Sequence, residues 1–266
     1  MTVAEKRYAF LIDLDGTMYA GHSTIPHAAA FVARLRELSL PFLFVTNNSS
    51  RTPEAVAGHL TDMGIASTAA EVVTSSQCAA RYMATSTRGR RVYAIGEDGL
   101  KSALQEAGLE LVEERPDFVV QGIDRQFSYH KLEMAVRFIS EGAEYVLTNP
   151  DRLLPSDGRL VPGAGSISGS IREALQAEPT VIGKPCRPIM DYALERLGTD
   201  SEVWVIGDNP ATDIGAGRAA GLRTALVLTG IATPDNVEEL LARSPSDWRP
   251  DLICENLAEL LARLDV

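Results

Sequence analysis

The sequence predicts an α/β protein with a central parallel β-sheet and a second α/β domain inserted into the chain. Apolar segments of strand character alternate with segments of helical apolar spacing, an order typical of parallel sheets. Several strand segments are continuous apolar runs, as expected for strands buried on both faces. Polar motifs of catalytic character lie in the first and last thirds, whereas the middle has its own strand–helix alternation without one. We therefore predict a catalytic core formed by residues 1–78 and 180–266, interrupted by an inserted domain formed by residues 79–179.

The individual elements follow from apolar patterning. Short apolar runs bounded by turn signals predict the strands Tyr8–Asp13, Pro41–Thr46, Arg91–Ile95, Phe118–Gly122, Tyr145–Thr148, Thr180–Ile182, Val203–Ile206, Thr224–Leu228 and Leu252–Cys254. Helical spacing of apolar residues predicts helices over Glu54–Met63, Tyr129–Ser140, Ile189–Leu197 and Asn236–Ala242. Pro53, Pro188 and Pro234 each predict a helix start, because the fixed φ of proline suits the first helical position. Threonine precedes Pro53 and Pro234 and is a good N-cap.

The charge of the chain limits the partners that it can bind. Its 25 Lys and Arg residues and 36 Asp and Glu residues give a formal net charge of −11. This charge argues against a nucleic-acid polymer, because phosphate backbones require basic surfaces. A small phosphorylated substrate stays compatible with it, because a local metal ion and one lysine can outweigh the global charge.

The cysteines and the apolar segments predict the compartment. Cys78, Cys186 and Cys254 are odd in number and far apart, without metal-binding spacing, so we expect a reduced cytoplasmic setting. Residues 1–7 lead into an apolar run that is too short for a signal or membrane-spanning segment, and no later run approaches membrane length. We therefore expect no membrane partner.

Two aspartates follow the first predicted strand. Apolar residues lead directly into Asp13 and Asp15, and Gly16 lets the chain leave in a turn. Open α/β sheets bind ligands at the carboxyl ends of their strands, and Asp15 is expected to point to the same face as Asp13. Two unpaired carboxylates there are costly to bury, and a divalent cation would remove that cost. The motif thus predicts a metal-assisted reaction, although a single Asp after a strand is usually a turn or cap residue.

The second and third motifs suit phosphoryl oxygens but are weak signals alone. Thr46 and Asn47 end an apolar strand and offer hydroxyl, amide and backbone N–H groups close to a predicted helix start. An ordinary helix-capping loop rich in Asn and Ser would look the same. Lys184 follows the predicted strand Thr180–Ile182, where its ammonium could neutralise a phosphate and a carboxylate together. Most lysines are simply solvated, and P-loop spacing is missing here.

A second acidic pair follows a later strand. Asp208 comes directly after the apolar segment Val203–Ile206 and one glycine, and Asp213 lies about one helical turn further on. Two acidic pairs at strand ends are hard to explain by structural roles alone. Because carboxylate oxygens are ligands that Mg²⁺ prefers, the two pairs together predict a Mg²⁺ site.

In this order the motifs resemble a known family. They read DLDGTMYAG, TNNSSRTPE, GKP and GDNPATDI, and they resemble the haloacid dehalogenase superfamily of phosphatases in its NagD-like branch. The middle segments QGIDR, TNPD and PGAG also resemble that branch. The resemblance covers the whole chain and implies a Rossmann-like three-layer core with a central parallel sheet, plus an inserted α/β cap domain.

The resemblance also implies catalytic roles. Asp13 would be the nucleophile that forms an aspartyl-phosphate, and Asp15 would be the general acid and then the base that activates water. Thr46 and Asn47 would hold the transferring phosphoryl group. Lys184 would stabilise negative charge on the nucleophile and the phosphate.

The metal site is implied in the same way. Mg²⁺ would be bound by Asp13, Asp208 and the backbone carbonyl of Asp15. Asp213 would support the water shell of the metal or orient Lys184.

The middle domain is expected to choose the substrate, because the core motifs all serve the phosphoryl group. By resemblance to cap positions, the candidate contacts are Asp124, Tyr129, Asn149 and Asp151. Structural roles are the alternative for them, since Asn149 precedes Pro150 in a good turn and Tyr129 could simply open a helix. Members of this family often form homodimers through the cap, so a homodimer is a further expectation.

These observations favour a Mg²⁺-dependent phosphatase that hydrolyses a small phosphomonoester, such as a sugar phosphate, glycerol phosphate, nucleotide or pyridoxal phosphate. Haloacid dehalogenases proper lack the second aspartate, so Asp15 favours phosphate esters over alkyl halides. One alternative is a phosphotransferase or mutase, which would pass the aspartyl-phosphate to a second substrate hydroxyl. Another is a non-catalytic protein that binds a phosphorylated ligand, because a fold does not guarantee a function.

Overall fold

The structure is a computed structural model that describes residues 8–156 and 159–266. The predicted absence of a signal segment rests partly on residues 1–7, and these residues lie outside the described part of the chain. The chain divides into two compact units. The first comprises Met1–Thr46, Ala57–Val72 and Lys184–Val266, and the second comprises Asn47–Val56 and Val73–Gly183. Among the described helices, none combines the length and apolar character needed to cross a membrane.

Strands and helices alternate through most of the chain. The strands are β1 (Tyr8–Ile12), β2 (Tyr19–Ala20), β3 (Ser23–Thr24), β4 (Phe42–Thr46), β5 (Val72–Thr74), β6 (Arg91–Ile95), β7 (Glu110–Leu111), β8 (Phe118–Gln121), β9 (Glu144–Leu147), β10 (Leu153–Ser156), β11 (Arg159–Pro162), β12 (Thr180–Val181), β13 (Glu202–Gly207), β14 (Arg223–Val227) and β15 (Leu252–Cys254). The α-helices are α1 (Ala28–Glu37), α2 (Pro53–Asp62), α3 (Ser75–Thr85), α4 (Asp98–Glu106), α5 (Tyr129–Ser140), α6 (Ala164–Leu175), α7 (Arg187–Leu197), α8 (Gly215–Ala219), α9 (Val237–Arg243) and α10 (Leu257–Leu264). Single turns of 3₁₀- and π-helix cover Ala69–Glu71 and Pro210–Ile214.

A six-stranded sheet has the order β15-β14-β13-β1-β4-β5, and its strands β1, β4, β13, β14 and β15 belong to the first unit. Its central strand β1 pairs in parallel with both β13 and β4. Phe10, Leu11 and Ile12 are completely buried, and burial of each side chain contributes about 1.5–3 kcal/mol. The register joins Ile12 to Ile206, so β1 and β13 end side by side. The residues that follow these two strands are therefore neighbours at the carboxyl edge of the sheet.

The second unit has its own parallel sheet, in the order β12-β9-β8-β6-β7. Buried aromatic and aliphatic residues of this sheet pack with Ala135 and Phe138 of α5 and with Ile171 of α6. The boundary predicted at residue 180 assigns Thr180–Val181 to the core, whereas this strand pairs with β9 in the second sheet. The antiparallel ribbon β10–β11 follows β9.

The predicted fold class is confirmed, because both large sheets are parallel and alternate with helices. Every predicted strand is present with ends that shift by at most one residue, and helix α5 has its predicted bounds. The start predicted at Pro234 is wrong. Pro234 lies in a turn in which the Thr233 N–H donates to Asn236 Oδ1 at 2.8 Å, and helix α9 begins only at Val237. Pro188 is the second residue of α7, not the first.

Candidate active site

Three carboxylates meet at the carboxyl edge of the first sheet. Asp13 follows β1 and Asp208 follows β13, so parallel pairing of these strands brings both residues to one place. Asp213 lies in the π-helical turn Pro210–Ile214, where its N–H donates to the Asn209 carbonyl at 2.9 Å. One oxygen from each of the three carboxylates lies within 4.8 Å of the others. Such a cluster of hard oxygen donors is suited to a divalent cation.

Lys184 joins this cluster. Its Nζ donates to Asp13 Oδ1, to Asp213 Oδ1 at 2.7 Å and to the Val45 carbonyl at 3.1 Å. These acceptors match the three N–H donors of an ammonium group. The Lys184 side chain is only 4% exposed, compared with 12% for Asp13 and 2% for Asp213. Asp13 is thus the member of this ion-paired group with the most accessible carboxylate.

The electrostatics of the cluster follow from burial and mutual repulsion. Burial raises the pKa of Asp13 well above its ordinary value, and the charges of Asp213 and Asp208 raise it further, although Lys184 opposes the shift. Burial and the Asp213 charge raise the pKa of Asp208 to about 7. Burial alone would lower the pKa of Lys184, but Asp13 and Asp213 outweigh it and raise the pKa above the ordinary value. Lys184 is therefore charged at neutral pH. A second cation bound beside the carboxylates would reduce their mutual repulsion and stabilise their charged forms.

Asp208 is held by the loop that follows β14. The Ile231 N–H donates to Asp208 Oδ2 at 2.5 Å, and the Thr229 hydroxyl donates to the Gly16 carbonyl at 2.7 Å. Gly16 has φ +83°, and a Cβ added there would collide with the Asp208 carboxylate. Only glycine suits this position, because both the backbone conformation and the close approach exclude a side chain. The sequence-based predictions did not include this loop, although its Thr-Gly pair directly after a predicted strand is a usable signal.

Asp15 and Thr46 lie in the same unit as the cluster. Asp15 is exposed, and the Tyr19 hydroxyl donates to its Oδ2 at 3.4 Å. Strand β1 ends at Ile12, so Asp15 lies in the turn beyond the strand. The described carboxylate cluster contains Asp213 instead of Asp15. The family resemblance implies a metal contact for Asp15 only through its backbone carbonyl. Thr46 is the last residue of β4 and is buried.

The remaining predicted residues belong to the second unit. Asn47 and Asp151 contact each other, since Asn47 Nδ2 donates to Asp151 Oδ2 at 3.0 Å. Asn149 is buried and donates from Nδ2 to the Asn47 carbonyl at 2.8 Å. Asp124 is also buried and pairs with Lys131 Nζ at 2.6 Å. Tyr129 is 81% exposed at the first position of α5.

Family models match both ends of the chain. A model described as haloacid dehalogenase-like hydrolase matches residues 10–110. A second model, described as HAD-hydrolase-like, matches residues 181–260. The two matched stretches contain the residues of the carboxylate cluster.

Named relatives match nearly the whole chain. It is 42% identical over 248 residues to the 5'-nucleotidase YutF of Bacillus subtilis, and the alignment covers 91% of this chain and 97% of that protein. It is 43% identical over 263 residues to an acid sugar phosphatase of Staphylococcus aureus, and the alignment covers 98% of this chain and 99% of that protein.

Solved structures of similar proteins share the fold. A p-nitrophenyl phosphatase from Archaeoglobus fulgidus has a TM-score of 0.90 and 33% identity, covering 97% of this chain and 99% of that one. The glycerol phosphate phosphatase Rv1692 from Mycobacterium tuberculosis, solved in complex with magnesium, has a TM-score of 0.88 and 35% identity, covering 96% of this chain and 77% of that one.

Proposed function

This chain belongs to the haloacid dehalogenase-like hydrolases, in the NagD-like branch of phosphatases, and we propose that it uses Mg²⁺ and an aspartyl-phosphate on Asp13. It is a hydrolase of phosphoric monoesters, as its relatives are named. The relatives are named for a nucleotide, a sugar phosphate and glycerol phosphate. These names support a small phosphorylated metabolite as the substrate of this chain.

One observation carries the proposal: the ammonium of Lys184 is buried between Asp13 and Asp213, with Asp208 in the same cluster. A purely structural site has little reason to bury three carboxylates with one lysine, because the desolvation of each charge is costly. In a phosphoryl-transfer site the same arrangement has a chemical role. A carboxylate that attacks an anionic phosphate faces repulsion, which fixed cations reduce.

The residues proposed for catalysis divide the work between two steps. Asp13 attacks phosphorus in line, and the leaving oxygen receives a proton from Asp15, which has the more exposed carboxylate. In the second step Asp15 takes a proton from water, and this water releases phosphate from Asp13. Lys184 stabilises the negative charge in both steps. Asp213 holds Lys184 in place through its 2.7 Å ion pair, which is the role that this geometry favours for it.

Thr46 and Asn47 are proposed to hold the transferring phosphoryl group. Thr46 offers a hydroxyl at the end of β4, and backbone N–H groups beyond the strand are suited to phosphoryl oxygens. The predicted division into a core of residues 1–78 and 180–266 and a cap of residues 79–179 remains part of the proposal, except that Thr180–Val181, which pair with β9, are assigned to the cap. We assign substrate choice to the cap, with the exposed Tyr129 as a contact, and dimerisation to the same domain. The buried carboxylate of Asp124 is bonded to Lys131 and to the Gln126 N–H, which favours the structural role for this residue.

The donor set of the cluster fits Mg²⁺. One oxygen from each of its three carboxylates lies within 4.8 Å of the others, and one ammonium balances only part of their charge. Asp13 and Asp208 would hold the ion together with the backbone carbonyl of Asp15. When bound there, Mg²⁺ would withdraw negative charge from the phosphoryl oxygens and assist the attack.

We expect Mg²⁺ to bind the isolated protein measurably in titration calorimetry, and Asp208→Asn to weaken this binding at least about tenfold, because a metal carboxylate is lost. Asp191→Asn is the matched control, since Asp191 lies in the same unit and its side chain is 51% exposed beside Arg187. The control should bind Mg²⁺ like the wild type. Equal affinity of Asp208→Asn and the wild type would contradict the assignment of the metal site.

The reaction is tested by phosphate release. We expect the wild-type protein to liberate inorganic phosphate from p-nitrophenyl phosphate and from some members of a panel of nucleotides, sugar phosphates, glycerol phosphate and pyridoxal phosphate. Chelation by EDTA should abolish the release, and excess Mg²⁺ should restore it. Wild-type protein that binds Mg²⁺ but releases no phosphate from any ester would contradict the proposed function.

A further inference from the structure

Three residues from two segments of the second unit fix the residue that follows β4. The carbonyl of Asn47 accepts hydrogen bonds from Ser75 Oγ and from Asn149 Nδ2, both at 2.8 Å. The side-chain amide of Asn47 donates to Asp151 Oδ2 at 3.0 Å. Both ends of this residue, its main-chain carbonyl and its side chain, are therefore held by residues distant in sequence.

These contacts determine the orientation of Asn47. A carboxylate only accepts hydrogen bonds, so Asp151 turns the NH₂ group of the amide toward itself and selects one of the two amide orientations. The amide oxygen then lies against Gly183, where an added Cβ would stand 2.5 Å from it. Because the Asn47 carbonyl accepts two hydrogen bonds, the peptide plane between residues 47 and 48 is fixed. In a trans peptide the N–H of residue 48 then points in the direction opposite to this carbonyl.

The residues that make these contacts are themselves held in place. Asn149 is 5% exposed, and its Oδ1 accepts from the Asp151 N–H at 3.2 Å. This bond closes a tight turn directly after β9, in the segment Thr148-Asn149-Pro150-Asp151. The side chain of Asp151 is thus presented from a fixed turn. Preorganised supports of this kind hold a binding group within a narrow range of positions.

We infer that Asn149 and Asp151 are positioning residues that hold Asn47 for the phosphoryl group, and that they do not select the leaving group. This inference rests on the proposed function, in which Asn47 binds phosphate. It revises the sequence-based expectation that Asn149 and Asp151 contact the variable part of the substrate. The amide of Asn149 and an oxygen of Asp151 are directed to Asn47 instead. Their contribution should therefore be common to every substrate and to inorganic phosphate.

The two roles differ in a measurable way. With Asp151→Ala, a positioning role predicts that calorimetric affinity for inorganic phosphate falls about tenfold, the size of one lost charge-assisted hydrogen bond. The ratio of kcat/KM values between p-nitrophenyl phosphate, a nucleotide and a sugar phosphate should stay within about twofold of the wild-type ratio. A role in leaving-group selection predicts the opposite, namely unchanged phosphate affinity and altered ratios.

A double-mutant cycle tests whether Asp151 acts through Asn47. In an Asn47→Ala background, Asp151→Ala should reduce phosphate affinity by no more than about twofold further, because the contact is already absent. Asp151→Asn keeps an oxygen that can accept from Asn47, so it should stay within about threefold of the wild type. Full additivity of the two alanine substitutions would overturn the inference. If Asp151→Ala does not fold, the Asp151→Asn variant together with Asn149→Ala supplies the same comparison.

The control is Glu141→Ala, which removes an exposed carboxylate of the second unit that pairs only with Arg137 on the surface in the described contacts. It should leave phosphate affinity unchanged. Failure of the inference and of the proposed function are distinguishable. Wild-type protein that neither releases nor binds phosphate would contradict the proposed function. An active wild type together with an Asp151→Ala variant of unchanged phosphate affinity would contradict only the positioning role.

Discussion

Replacing Asp13 by Asn is expected to reduce phosphate release at least about 10⁴-fold while leaving the protein folded. The amide has nearly the shape of the carboxylate but lacks its nucleophilic oxygen, so no aspartyl-phosphate can form. The substitution should not destabilise the fold strongly. Burial and the charges of Asp213 and Asp208 raise the pKa of Asp13, which means that the folded protein disfavours the charged form and tolerates a neutral one.

Steady-state phosphate release and thermal unfolding of the same preparation test this prediction. Asp191→Asn, the exposed substitution in the same unit, should retain wild-type activity and controls for the exchange of Asp for Asn as such. An Asp13→Asn variant whose rate is within about a hundredfold of the wild type would refute the nucleophile assignment. A variant that loses its cooperative unfolding transition would instead indicate that Asp13 is required for the fold.

Replacing Lys184 by Met should affect both stability and activity. The ammonium is 4% exposed and forms ion pairs with Asp13 and Asp213, so its removal leaves buried carboxylates without their cation. Breaking a buried ion pair by removing one partner costs about 3–5 kcal/mol of unfolding free energy. Loss of the positive charge beside the transferring group should also reduce kcat by about 10²–10³-fold.

The stability loss should depend on pH and on Mg²⁺. The raised pKa values of Asp13 and Asp208 allow these carboxylates to become neutral as the pH falls. Neutral carboxyl groups carry no charge for the ammonium to balance. The loss of unfolding free energy caused by Lys184→Met should therefore be smaller at about pH 5 than at about pH 8. Bound Mg²⁺ should restore part of the stability, because the ion binds the folded state preferentially.

Urea unfolding at both pH values measures these differences, with Lys101→Met as the matched control because Lys101 is exposed on α4. The control should unfold like the wild type. A Lys184→Met variant that is as stable as the wild type at the higher pH would show that the ammonium does not neutralise the cluster. The same variant with full activity would remove Lys184 from the mechanism.

The fold class and the edge of the sheet where the chemistry lies can both be predicted from the amino-acid sequence. Continuous apolar runs predict buried parallel strands, and parallel strands end at a common edge, so Asp13 and Asp208 had to be near each other once their strands were adjacent. Both residues directly follow strands whose ends shift by at most one residue from prediction. Local periodicity is sufficient for such elements because it depends only on neighbouring residues.

The partners of these residues, in contrast, follow from contacts between distant segments. The sequence left two roles open for Asp213, and the fold places its carboxylate on Lys184. By resemblance, Asn149 and Asp151 are candidates for substrate contact, with structural roles as the alternative. In the structure both form hydrogen bonds with Asn47, about a hundred residues earlier in the chain. The helix start at Pro234 failed because a local turn closed by Asn236 competes with helix formation there. Contacts between distant segments depend on strand order and loop paths, and no local pattern contains that information.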